Sequence, residues 1–318
     1  MSENELPIVV GLGELLWDCF AESRLPGGAP ANVAFHACQL GCRGIVCSRV
    51  GRDPLGDELV DFLAGQGLET TWVQRDESHA TSTVTVDASQ PLHPRFTIHE
   101  NVAWDYLAFD QALEQLVGRA AALCFGTLAQ RSPASREAIQ RAIRAVRPEC
   151  LVVYDVNLRQ HFYEREWVET SLRASRIVKL NEDEVIELDK LLGFDAQDQL
   201  LFARAILEQY GLDAVCITRG PRGCLLVAPL EMAEDCGAPI EVADTVGAGD
   251  AFTAALIMSR LRGWPLRSQA AFANAVGGLV ASRPGAMPIL RDEFSRLAAD
   301  YDEFARLAAR YEKNQGPE

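Results

Sequence analysis

Asp244-Thr245-Val246-Gly247-Ala248-Gly249-Asp250-Ala251-Phe252 is the stretch on which the reading of this chain turns. Two glycines bracket an alanine directly before the apolar run Phe252 to Met258, which predicts the opening turns of a buried helix. Glycine lets consecutive backbone N–H groups point the same way, toward the positive end of the helix dipole. That makes a socket for developing negative charge. Asp250 stands at its lip, and an anion hole beside a base suits a transferring phosphoryl group and an attacking hydroxyl. A second reading stays open on this segment alone: Gly247 and Gly249 make a tight loop and Asp250 caps the helix.

Neither of the common nucleotide loops is present. No Lys-Ser or Lys-Thr pair follows the glycines, and Phe252 fills the third small position of a dinucleotide fingerprint. Near the N-terminus, Gly11-Leu12-Gly13-Glu14-Leu15-Leu16-Trp17-Asp18 fails in the same place, with Leu16 for glycine. A nicotinamide-dependent oxidoreductase would therefore lack its binding element.

The chain has 318 residues, 48% of them apolar, enough for a sizeable core. A formal net charge of −15 argues against nucleic acid and against an anionic membrane as partners. A small anion such as ATP stays compatible, because local amides and a metal hold it. Nine cysteines, odd in number and without a C-x-x-C pair, predict free thiols in a reducing cytosol rather than disulfides or zinc ligation. Met1 to Pro7 lacks the basic-then-apolar pattern of a signal peptide, and no stretch approaches the length of a membrane span. A cytoplasmic location is the expectation.

Working outward, short apolar runs at Ile8–Leu12, Ile45–Ser48, Ala121–Phe125, Leu151–Tyr154, Ile177–Leu180 and Val215–Thr218 predict buried strands. Amphipathic runs such as Pro30–Leu40, Pro54–Gly65, Pro133–Val146 and Ala196–Tyr210 alternate with them, and the last third is helical from Gly249. This alternation predicts an α/β fold with a mainly parallel sheet and helices on both faces. One region departs from it. Ala80–Asp87 and Arg95–His99 alternate with period two around a turn-like Ser89–Pro94, with no helix between them. With Cys19–Leu25 they predict a small projecting sheet, its strands drawn from about 17–27 and 80–100 and inserted in one domain spanning 1–318.

Gly27-Gly28-Ala29-Pro30-Ala31-Asn32-Val33-Ala34 opens a helix running to Gly41, and Gly51 follows a strand. Pro30 suits a first helical turn, and Asn32 can offer its amide to sugar hydroxyls as donor and acceptor. Asp18 is read either as a hydroxyl-binding carboxylate or as an exposed loop acid. The spacing Gly28, Asn32, Ala34, Gly41, Gly51 resembles the first signature of the ribokinase-like (PfkB) carbohydrate kinases, and Asp244–Phe252 resembles the second. The resemblance extends over essentially the whole chain. It implies a three-layer α/β/α body with a β-sheet lid, and ATP-dependent phosphorylation of a sugar hydroxyl.

Carried onto this sequence, the resemblance makes Asp250 the catalytic base and Gly247, Ala248 and Gly249 the anion hole. It places Asp18, Gly28 and Asn32 at the sugar. Asn181-Glu182-Asp183-Glu184 matches an N-x-x-E motif that assigns Asn181 and Glu184 to the nucleotide side, with Glu184 holding Mg²⁺ through water. Dipole complementarity at a helix start is the other reading of that acidic cluster. Thr218-Arg219-Gly220-Pro221-Arg222-Gly223 resembles the nucleotide loop, with Thr218, Gly220 and Gly223 as its contacts; a hairpin turn is the alternative, since a strand resumes at Cys224. Asn274 falls near the base, and Asp244, Val246, Arg283 and Gly285 surround a K⁺ site in the family.

Asp155-Val156-Asn157-Leu158-Arg159 resembles a segment of fructokinase-like and 2-keto-3-deoxygluconate kinase-like members. Arg159 could meet a substrate carboxylate or phosphate, or bridge to Asp155. The opening Gly-Glu-Leu-Leu-Trp-Asp resembles fructokinases, so fructose leads, with 2-keto-3-deoxygluconate and ribose as alternatives. A non-catalytic sensor on the same scaffold is the rival from another class; loss of Asp250 or a hole glycine would mark it, and none is lost. Exposed lid strands need covering, which predicts a homodimer through the lid.

Overall fold

In the computed structural model, which describes residues 6–87 and 95–314, thirteen strands form two sheets. The larger has nine strands. Its first strand, β1 (Ile8–Leu12), is flanked on one side by β4 (Arg43–Gly51) and β5 (Val73–Asp76). On the other side follow β8 (Ala122–Phe125), β9 (Leu151–Asp155), β10 (Ile177–Asn181) and β11 (Ala214–Thr218), all parallel. Two antiparallel strands, β12 (Cys224–Val227) and β13 (Met232–Asp235), close that edge. The order therefore reverses direction between β1 and β8. In open α/β sheets the crevice at such a reversal, beyond the carboxyl ends of the strands, is where ligands bind.

Ten helices lie on the two faces, and the strand residues sort themselves accordingly. Val10, Leu12, Leu123, Phe125, Val152, Tyr154, Val178 and Leu180 point to one face. There they pack on α3 (Gln111–Val117), α4 (Pro133–Ala145), α5 (Arg165–Arg173), α6 (Glu182–Leu192) and α7 (Gln199–Tyr210). Their neighbours Val9, Ala122, Cys124, Leu151, Val153 and Ile177 point to the other, under α1 (Ala29–Gln39), α8 (Ala248–Leu261), α9 (Leu266–Ala281) and α10 (Arg291–Asn314). Because both faces are covered, the strands read as continuous apolar runs and not as alternating ones. α2 (Pro54–Gly65) packs Leu59 and Leu63 onto Phe35, Val46 and Val73.

The second sheet has the order β3 (Arg24–Gly27), β2 (Leu16–Cys19), β6 (Ser82–Asp87), β7 (Arg95–Ile98). The region expected at about 17–27 and 80–100 does supply these strands; the turn at Ser89–Pro94 lies outside the described residues. The sheet is mixed, since β2 runs parallel to β6 and both outer pairs are antiparallel. Its joint with the main body is polar. Asp53 caps α2 through Gly56 N at 2.8 Å, and its carboxylate also takes Thr81 N and Thr81 Oγ1, each at 2.7 Å. A side chain on Gly51 would run into Asp53 and Thr81, so that glycine serves the joint.

The sequence missed β5, β13, α3 and α5, and showed of α6 only its acidic start. β5, β13 and α3 are short, α5 and α6 are mostly polar, and all five lie at a sheet edge or on the surface, where a weak apolar pattern suffices.

Candidate active site

α8 starts where the sequence places it. Gly247 is its N-cap in the left-handed region (φ 78°), and a Cβ there would lie 2.6 Å from backbone atoms of Ala286. Ala251 N closes the first turn on Gly247 O at 2.9 Å, and Ala248 N makes a long 3.3 Å bond to Thr245 O. The amides of Gly249 and Asp250 have no backbone acceptor among the described residues, as the first turn of a helix requires. Two donors and the dipole thus face the crevice.

Asp250 makes no side-chain bond to the amides of its own helix among the described residues, whereas Gly247 does form the tight entry to that helix. Asp250 Oδ2 instead accepts from Asn32 Nδ2 at 2.7 Å, joining α8 to the first turn of α1. Burial pushes the Asp250 carboxyl up, and nearby Asp155 pushes further, to about 7; Asn32, Lys179 and Arg159 oppose the shift. A carboxyl poised near neutrality is what proton abstraction from a hydroxyl calls for.

Beneath the cradle lies a buried ion pair that sequence reasoning missed. Lys179 Nζ bonds Asp155 Oδ1 at 3.0 Å, and Asp155 Oδ2 accepts from Thr253 Oγ1 at 2.7 Å. Burial alone would lower the lysine, but Asp155, Glu184 and Asp250 hold it above its ordinary value. Its ammonium would sit 3.3 Å from a Cβ on Gly249, so a fixed positive charge underlies the glycine turn. The one available signal was a lysine inside the apolar run Ile177–Leu180, since an unpaired buried lysine is hardly ever tolerated. This pairing also answers the Arg159 question. Asp155 is taken by Lys179 and Thr253, while exposed Arg159 bonds Leu158 O and Asn157 Oδ1, so it makes no bridge to Asp155.

On the sugar side, Asp18 is carried by β2 of the smaller sheet, not by the loop after β1. Burial raises its carboxyl to about 6, opposed by Arg159. Its Oδ2 lies against Gly27, where a Cβ would come within 2.5 Å. Gly28 (φ 119°) is needed for packing as well, because a side chain would strike the Glu14 carbonyl. Glu14 itself is another residue the sequence did not single out: it is 5% exposed, its Oε2 has no partner, and burial raises its carboxyl against its own and the Ala29 amides, Arg159 and Arg131. Arg131 Nη1, Asn157 Nδ2 and Asn32 Oδ1 are likewise buried without partners.

The nucleotide-side residues end strands of the main sheet. Asn181 and Thr218 are paired at the ends of β10 and β11. Asn181 and Glu184 form a capping box: Glu184 N donates to Asn181 Oδ1 at 2.9 Å and Asn181 N to Glu184 Oε2 at 2.8 Å. Glu184 Oε1 accepts from Leu158 N at 2.9 Å, and burial raises the carboxyl against Lys179 and those amides. Each Glu184 oxygen thus accepts from one backbone amide, and no cluster of three metal-ligating side chains exists among the described residues. Thr218 Oγ1 leans on Leu180 O at 3.4 Å. Residues 218–223 are indeed the turn between antiparallel β11 and β12, with Gly220 exposed and Gly223 pressed on the Asp235 carbonyl. Asn274 Nδ2 donates to Asp235 O at 2.9 Å and Oδ1 at 2.8 Å, so it anchors the end of β13.

Asp244 brings the last group together. Its Oδ1 accepts from Val246 N and its Oδ2 from Gly285 N, both at 3.0 Å. The Arg283 side chain turns away to Ser282.

Comparison with known proteins agrees with this geometry. The pfkB family carbohydrate kinases match residues 8–292. The uncharacterized sugar kinase PH1459 of Pyrococcus horikoshii is 31% identical over 298 residues, covering 88% of this chain and 91% of its own length. The fructokinase of Salmonella typhimurium is 28% identical over 297 residues, covering 88% and 94%. Among solved structures, that of PH1459 in complex with ATP superposes with a TM-score of 0.73 at 29% identity, covering 88% and 94%. The fructokinase of Xylella fastidiosa with bound ATP gives a TM-score of 0.81, covering 93% and 99%; at 22% identity it speaks for the fold alone. Two signature segments meeting at one partly buried contact, and a match along nearly the whole chain, make this protein a member of the pfkB family of carbohydrate kinases.

Proposed function

We propose that this kinase transfers the γ-phosphate of ATP to a hydroxyl of a small monosaccharide, with fructose as its preferred acceptor. The observation that carries the reading is the 2.7 Å contact between Asn32 Nδ2 and Asp250 Oδ2 at the start of α8. It supports a reading in which Asn32, at the sugar, and Asp250, as the base, act side by side next to helix amides that have no backbone acceptor. Sugar lies between Asp18, Gly28 and Asn32 with the smaller sheet as lid. ATP lies across Asn181, the 218–223 turn and Asn274, with its terminal phosphate at Gly247–Asp250.

Asp250 takes the hydroxyl proton as the oxygen attacks in line; the Gly249 and Asp250 amides and the Lys179 charge stabilise the transferring group. Closure of the lid excludes water as a competing acceptor. Mg²⁺, oriented through water by Glu184, neutralises phosphate charge when bound. Asp244 and the carbonyls of Val246, Arg283 and Gly285 are assigned to K⁺, and two lids pair in a homodimer.

A second acceptor has an observation in its favour. Arg159 is exposed and bonds only its neighbours Leu158 O and Asn157 Oδ1 among the contacts described, a guanidinium suited to the carboxylate of 2-keto-3-deoxygluconate. Coupled ADP release should be measured on fructose, 2-keto-3-deoxygluconate, ribose and a nucleoside, with and without K⁺. Highest kcat/KM on fructose supports the proposal; highest on the sugar acid replaces the acceptor. Binding of sugar and ATP with no ADP released on any of the four would make the protein a sensor.

A further inference from the structure

His36 is fully buried on α1, one turn after Asn32, and nothing in the phosphoryl-transfer scheme above uses it. A buried imidazole costs stability unless its nitrogens are satisfied, and an apolar residue would fill the same place without that cost. Both nitrogens have partners here. Nε2 lies 2.9 Å from Ala286 O, and Nδ1 lies 3.4 Å from Gln39 Nε2. The amide nitrogen of Gln39 can only donate, so Nδ1 is the acceptor and Nε2 carries the proton that goes to Ala286 O. Burial keeps the ring neutral, its pKa lowered to about 4.

The carbonyl it holds has a particular neighbour. Ala286 Cα and O are the atoms that would lie 2.6 Å from a Cβ on Gly247, the N-cap of α8. The preceding amide, Gly285 N, donates to Asp244 Oδ2, and Asp244 Oδ1 takes Val246 N. Residues 285 and 286 therefore touch both ends of the Asp244–Gly247 turn that leads into the amide cradle. Gln39 extends the brace, donating to Pro288 O at 3.0 Å and accepting from Leu290 N at 2.6 Å. Since i and i+4 share a helix face, α1 presents Asn32 to the base and His36 to the wall behind the cradle.

We propose that His36 is a positioning residue: its Nε2–H bond to Ala286 O fixes the loop that buttresses Gly247, so that one face of α1 sets the distance between the base and the phosphate-binding amides. The inference rests on the kinase reading for its catalytic consequence but not for its structural one. Helix amides stabilise a transition state only if they are already aimed, and a misplacement well under 1 Å at Gly247 is felt in kcat and not in sugar affinity.

His36→Gln retains a donor at the Nε2 position, and His36→Leu removes it with little change in size. In the full-length protein, hydrogen exchange at Val246, Ala251 and Gly285 should be about tenfold faster in His36→Leu than in wild type and near wild type in His36→Gln. For the acceptor sugar, kcat should fall about tenfold in His36→Leu with KM within twofold, and recover in His36→Gln. Unchanged exchange at those amides in His36→Leu would overturn the buttress, whether or not any sugar is phosphorylated. Faster exchange with unchanged kcat would overturn the positioning role and leave only packing. Should His36→Leu fail to fold, Gln39→Met gives the second test: loosened exchange at Gly285 and about threefold lower kcat support the brace, and wild-type values of both refute it. Absence of ADP release from wild type on every sugar refutes the kinase reading instead, a result the exchange measurement does not share.

Discussion

Replacing Asp250 with asparagine should move activity and stability in opposite directions. Burial, aided by Asp155, holds the carboxyl at about 7 in the folded protein against an ordinary 3.8. Between those values the folded chain keeps a proton that the unfolded chain has released. Stability therefore falls as pH rises from about 4 to about 7, and the whole cost is present above that. At ~1.36 kcal/mol per unit, a shift of roughly three units would cost ~4 kcal/mol at most. Asp250 keeps some solvent contact at the crevice, and screening brings this to about 2 kcal/mol.

Asparagine has the same shape, no charge to repel Asp155, and an oxygen that can still accept from Asn32. At pH 8 Asp250→Asn should be more stable than wild type by about 2 kcal/mol, a rise of a few degrees in Tm. At pH 4 the two should coincide. Turnover should fall by about 10²- to 10⁴-fold, the usual contribution of a positioned base, with sugar Kd changed by less than threefold. Calorimetry at pH 4, 6 and 8 and coupled ADP release supply the two readouts. A variant less stable than wild type at pH 8 would refute the desolvation argument, and one with undiminished turnover would remove Asp250 as the base.

Three further outcomes follow from the same contacts. Asn32→Leu removes the hydrogen bond that favours ionised Asp250, so the acidic limb of the kcat–pH profile should move up by about one unit; a limb that stays in place separates Asn32 from the base. Gly247→Ala forces a side chain into a left-handed residue with Ala286 backbone 2.6 Å away, and should cost about 1–3 kcal/mol in urea unfolding with more than tenfold lower kcat. Lys179→Met leaves Asp155 charged and buried, costing about 3–5 kcal/mol, and Lys179→Met with Asp155→Asn should recover much of that; no recovery would show that the pair is not the origin.

Much of the fold was legible because buried parallel strands must be apolar on both faces. Ile8–Leu12 and Pro54–Gly65 fall where the pattern puts them to the residue, and the projecting sheet announced itself by a change of period from helical to two. Register and strand direction were not legible. Leu16–Cys19 runs parallel to Ser82–Asp87 with Leu16 opposite Ser82, and neither strand's own pattern carries that alignment. Asp18, inside the 17–27 stretch expected to supply that sheet, faces Val84 of β6 in the register the structure shows.

The site shows the same division more sharply. Glycines and acids in fixed spacing mark Gly247–Asp250 and Gly28–Asn32, because backbone geometry at a helix start restricts the residue types that fit. Lys179, His36 and Glu14 stayed hidden for the opposite reason. Lys179 and His36 are polar residues inside apolar elements and Glu14 stands between β1 and β2, and periodicity reports which way a residue faces without reporting what it meets there. The cost of burying such a group, though, is set by chemistry and is readable from sequence: a lysine in Ile177–Leu180, or a histidine between Phe35 and Ala37, persists only with a matched partner in the core. In this protein those partners are Asp155 below the phosphate cradle and the Ala286 carbonyl behind it. The polar exceptions to the apolar pattern therefore border the chemistry on the side that the signature motifs do not reach.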